Sequence, residues 1–186
     1  ETTRMGKSLV APAPMPPVGA TSVERDRVGQ KIVRNGSVNI RVRQTEDAMN
    51  QIKTLTEAKG GFVAESNVSA YNESKTGYLT LRIPANKFQE TVLAVKAIGT
   101  ATLEESTQAE DVTAQYVDVD ARLRSAKAEE EQYLTILRQA KSIEDTLNVT
   151  NRLADVRSRI EQLQGQMRLL SDQTDYATLR VTLTEA

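Results

Sequence analysis

The sequence contains no histidine, no cysteine and no tryptophan. Without an imidazole or a thiol, the chain cannot assemble a Ser-His-Asp triad, a cysteine nucleophile, a thiolate zinc site or a His-ligated metal centre. Only carboxylate, lysine, tyrosine or backbone chemistry remains. The missing cysteines also remove the redox clue, because a disulfide-free chain suits cytosol and envelope equally. Two Phe and five Tyr in 186 residues leave a thin core of Val, Leu, Ile and Ala, which long helices zipped against each other suit better than a thick globule. An excess of one charge is lacking too: 24 basic against 25 acidic residues give a net charge of −1 and no electrostatic case for nucleic acid. No apolar run reaches the roughly 18 residues needed to span a bilayer.

What is present divides into three stretches. Residues 1–29 hold four of the five prolines, Pro12, Pro14, Pro16 and Pro17, a composition that favours extended polyproline conformations and buries little. The reading is a tether, or else an assembly arm that crosses onto a neighbouring copy. The chain starts at Glu1 rather than an initiator Met, as expected of a processed or truncated product whose anchor lies elsewhere.

Residues 30–112 and 175–186 read as one sheet domain. Val38, Ile40 and Val42 alternate with Asn39, Arg41 and Arg43 as a half-buried strand, with Asn35-Gly36 as a bulge or tight turn. Thr45 is placed as an N-cap with Glu46 and Asp47 behind it, Ala48, Ile52, Leu55 and Ala58 form one helical face, and Gly60-Gly61 ends the helix. A hairpin follows from Phe62 to Ile83. Asn86 is expected to cap a second helix carrying Phe88, Val92, Val95 and Ile98, and a strand to Val112 comes next. The order βαββαβ predicts an α+β fold with a ferredoxin-like antiparallel sheet. Leu179, Val181 and Leu183, alternating with threonines and Arg180, make a final strand.

Between these lies 113–174. Tyr116, Val119, Leu123, Ala126, Tyr133, Leu137 and Ala140 fall on alternating steps of three and four, interrupted once by Glu130, and Val149, Leu153, Val156, Ile160, Leu163, Met167 and Leu170 do the same. These are heptad seams. Ser142, with Asp145 three residues on, restarts the helix, so the pattern predicts a long antiparallel coiled-coil hairpin inserted before the last strand. Asp118/Arg122, Asp120/Arg124 and Asp155/Arg159 are spaced for helix-surface ion pairs.

Acid pairs at Glu104-Glu105, Glu110-Asp111 and Asp118/Asp120 lack a calcium loop's spacing and central glycine. They read as solvated edges and a helix start. Gly60-Gly61 has no phosphate-loop context. No catalytic, cofactor or metal residue is assigned. The interaction residues assigned are those of the hairpin seam and surface: Tyr116, Leu123, Tyr133, Leu137, Leu153, Ile160, Leu163, Met167 and Leu170.

The stretch from Asp145 through Arg152-Leu153-Ala154-Asp155-Val156-Arg157 to Gln166 and Leu170, with Tyr176-Ala177-Thr178-Leu179, Lys31-Ile32-Val33-Arg34-Asn35-Gly36-Ser37, Gly60-Gly61-Phe62-Val63 and Leu81-Arg82-Ile83-Pro84, resembles a bacterial and archaeal envelope-lipoprotein family known as domain of unknown function 4349. The resemblance covers residues 31–185 and implies an outward-facing domain, behind a lipidated N-terminus and often before a membrane helix. This chain carries neither the Cys nor that helix. Some relatives are extracytoplasmic parts of anti-sigma-like proteins, and the family brings no enzymatic activity with it. The expectation is a non-catalytic extracytoplasmic module, tethered to a membrane by a segment outside this chain, that binds an envelope protein or itself, as a homo-oligomer or filament. The alternative is the ectodomain of a membrane-anchored stress or anti-sigma-type regulator.

Overall fold

The computed structural model describes residues 29–186, and the Pro-rich segment with Pro12, Pro14, Pro16 and Pro17 lies outside them. Five strands and four α-helices follow in the order β1 (Ile32–Val42), α1 (Thr45–Ala58), β2 (Phe62–Tyr71), β3 (Ser74–Pro84), α2 (Phe88–Ile98), β4 (Ala101–Asp111), α3 (Thr113–Gln139), α4 (Ile143–Asp175) and β5 (Tyr176–Glu185). A 3₁₀ turn at Ala85–Lys87 leads into α2.

The fold is α+β, with one sheet in the order β2-β3-β5-β1-β4. β5 runs parallel to β1 and antiparallel to β3, while β1/β4 and β2/β3 are antiparallel. The sheet is therefore mixed, which corrects the antiparallel sheet expected from the element order, and the last strand lies at its centre. The cause is burial: Ala177, Leu179, Val181 and Leu183 are at most 1% exposed, and only a position beneath both α1 and α2 hides that whole row. They pack with Val38, Ile40, Leu79, Leu81 and Ile83 against Ile52, Phe88, Val92 and Val95.

Local signals decide the element ends unevenly. Ser142 caps α4 as its sequence suggests, accepting from the Asp145 N–H at 3.1 Å. Thr45 does not cap α1. Gln44 holds that position with no side-chain bond, and the buried Thr45 hydroxyl instead donates to the Lys75 carbonyl at 3.1 Å, tying α1 to β3. Asn86 likewise falls inside the 3₁₀ turn and makes no cap bond to α2. Asn35-Gly36 forms no turn, and the irregularity in β1 comes later, between Asn39 and Ile40. Gly36 has a different reason to be there: a Cβ would lie 2.8 Å from the Phe88 ring.

On the opposite face of the sheet Ser37, Arg41, Tyr78 and Arg180 are exposed among the described residues. α3 and α4 meet it only at one end. There Val33 joins a second apolar cluster built from Val112, Val119, Ala126, Val156, Ile160, Leu163 and Leu170, and Lys31 Nζ lies 4.7 Å from the centre of the Tyr116 ring. Arg82 clasps the C-terminal end of α4, donating to the Asp172 carboxylate at 2.7 Å, to its carbonyl at 3.2 Å and to Thr178 at 2.6 Å.

Candidate interaction surface

The helical pair is the structure's most extended feature. α3 has 27 residues and α4 has 33, so at 1.5 Å per residue they run for about 40 and about 50 Å. They lie antiparallel. Glu130 pairs with Arg157 and Glu129 with Arg159, each at 2.8 Å, one partner stepping back along α3 as the other steps forward along α4. Glu130, the acid that interrupts the apolar repeat, is thereby a cross-helix tie. Arg159 spends its charge on Glu129 across the groove, whereas Asp118/Arg122 (3.1 Å) and Asp120/Arg124 (3.2 Å) form within α3.

Of the residues assigned from the repeat, Ile160, Leu163 and Leu170, with Tyr116, Leu123, Tyr133 and Met167, belong to the apolar cluster between the helices. Leu153, Ile160, Leu163 and Leu170 are buried, and Tyr116, Leu123, Tyr133, Leu137 and Met167 are half-buried. Val117 is buried as well, although it lies off the three-four steps. Four large apolar side chains of the pair are exposed, Leu169 near the base of α4 and three at the far end. Ile143 is 82% exposed, Leu147 58% and Ile136 47%, all at the tip where α3 turns into α4. Beside them a groove of about 440 Å³ opens between Ile136, Ala140, Asp145 and Val149. The repeat does not reveal this tip. Its signal is the reverse, isoleucines and a leucine off the seam flanking a capped turn.

A second groove of about 500 Å³ lies lower on the pair, where Ala121, Ser125 and Ala126 face Gln162, Leu163 and Gln166. The acid pairs are engaged locally: Glu105 with Lys96 at 2.5 Å, and Asp111 accepting from the Thr113 N–H at 2.9 Å and its hydroxyl at 2.5 Å. Among the described residues no cluster of three His, Cys, Asp or Glu could hold a metal ion, and no helix is long and apolar enough to cross a membrane.

Comparison with curated proteins and with solved structures finds no match. A family model described as Domain of unknown function (DUF4349) matches residues 30–186. Because that match takes in the five strands, both sheet-covering helices and the helical pair, the chain belongs to the DUF4349 family.

Proposed function

We propose that this chain is a non-catalytic module of the cell envelope, held on the outer side of a membrane by a segment not included here, and that it docks an envelope protein on the tip of a rigid coiled-coil hairpin. One observation carries the reading: at the end of a braced helical pair, Ile136, Ile143 and Leu147 face solvent, and among the described residues none covers them. Isolated exposed apolar residues are ordinary, whereas three gathered on a projection favour a contact surface. The ties Glu129–Arg159 and Glu130–Arg157 brace the shaft, and the Arg82 clasp braces its base. The heptad steps support the coiled-coil description. The β4-β1 and β3-β2 pairs support a ferredoxin-like reading of the sheet, with β5 placed between its halves. The lack of His and Cys supports the absence of catalysis.

The test is site-specific photocrosslinking in the native envelope. A photoreactive residue at Ile143 is expected to give a discrete adduct, and the same residue at the exposed Ala97 of α2 none. Equal labelling at both positions would remove the tip from the reading.

A further inference from the structure

The two outer strands of the sheet are defended very differently. β4 carries Glu104, Glu105, Glu110 and Asp111, so two such edges brought together would set acids against acids. β2, Phe62–Tyr71, has no Lys, no Arg, no Pro and a single acid, Glu65. Lysine, proline and inward-pointing charge are the devices that keep natural edges from pairing, and β2 lacks them. It also exposes Val68 and Tyr71, at 42% and 80%. Among the described residues it is paired on one side only, with β3.

Which backbone groups are free follows from the turn. Asn72 and Glu73 both have positive φ, 47° and 68°, and Tyr71 stands opposite Ser74, the pattern of a two-residue type I′ hairpin. Its closing pair exchanges both hydrogen bonds, so Tyr71, Ser69, Asn67 and Glu65 bond inward to β3. The N–H and C=O groups of Ser66, Val68 and Ala70 point outward.

We infer that β2 is a self-pairing edge, and that two copies of this chain join through it into one continuous sheet. The pairing is antiparallel about a two-fold axis at Val68. Opposed residues must share a face, and this register meets that condition: Val68 faces Val68 of the second copy, and Ser66 faces Ala70. These three pairs supply about six backbone hydrogen bonds, two for each hydrogen-bonded pair. On the opposite face Glu65 meets Tyr71 of the second copy and Asn67 meets Ser69, so no charge opposes its like. A foreign strand would be selected by complementary charge, and β2 has almost none to select with. Its near-neutral, symmetric pattern fits its own copy.

The experiment is sedimentation of the full chain over a concentration series. Weight-average mass is expected to climb from 20.5 kDa toward twice that value. Val68→Lys, which sets two ammonium groups at the axis, is expected to weaken the dimer at least tenfold. Val68→Pro removes an outward N–H without touching a bond to β3 and should do the same. Both variants should keep the parent far-UV spectrum and, at concentrations where the parent is a single chain, its thermal midpoint. Because the chain has no cysteine, Val68→Cys creates a lone thiol, and mild oxidation should link it into a covalent dimer much faster than Thr107→Cys on β4. Mass that stays at one chain throughout overturns the inference. So does a Val68→Lys protein that dimerises like the parent, and so does a dimer lost on deleting residues 1–28 yet indifferent to Val68→Lys, which would give assembly to the Pro-rich segment.

Discussion

At the scale of single residues, the fold turns on a few close approaches. Gly36 lies where a Cβ would meet the Phe88 ring at 2.8 Å and Leu179 at 3.2 Å. Phe88, which opens α2, and Leu179 of β5 are both buried in the core. Gly36→Val is expected to cost about 1–3 kcal/mol through overpacking, read as a lower urea midpoint with unchanged slope. Charges on the surface act with a sign that pH exposes. Lys59, which hydrogen-bonds Glu90 across α1 and α2, holds that carboxyl below the ordinary carboxylate range, and Lys75 does the same for Glu46. A depressed carboxylate contributes stability above its unfolded pKa and loses it as pH falls through its folded value. Lys75 is shifted upward by Glu46, so its share is present below its unfolded pKa and fades only as pH rises through the raised one. Stability is therefore expected to be flat near neutrality and to fall in acid. Lys59→Met should flatten part of the acid limb in a pH series of thermal melts.

At the scale of elements, the sequence is most informative where periodicity is long. The repeat from Tyr116 to Leu170 predicted two helices and the side on which they meet, and Leu153, Ile160, Leu163 and Leu170 are indeed buried there. Helical period is a local property, so it needs no knowledge of the partner. Caps were less legible. Ser142 capped as expected, whereas Thr45 was drawn to Lys75, thirty positions along the chain, a contact its neighbours cannot announce. The seam and the tip should also separate in energy. Ile160→Ala is expected to cost about 2–5 kcal/mol, but Ile143→Ala should stay within about 0.5 kcal/mol, both measured by chemical denaturation. The second leaves a folded protein with an altered tip, which is what a docking assay needs.

At the scale of the whole molecule, the place of β5 governs how the parts hold together. It bonds to β3 on one side and β1 on the other, so the polypeptide leaves the sheet at β4, runs out and back through α3 and α4, and returns to its middle. Deleting residues 176–186 is expected to abolish cooperative unfolding altogether, since an edge-strand deletion would trim the sheet whereas this one splits it. Loss of the thermal transition, with residual helix in the far-UV spectrum, is the expected readout.

By itself the sequence determined the class of fold, the number and kind of its elements, the helical pair and the family, because alternation and heptad spacing are written in neighbouring residues. It also set which face of β1, β3 and β5 is buried. Only the tertiary structure decided that the last strand lies between β1 and β3, that the sheet is mixed, and which apolar groups are exposed where α3 turns into α4. An alternating strand declares that it has an inner face but not which strands flank it. That choice depends on how much apolar surface the returning chain can cover once α1 and α2 are in place.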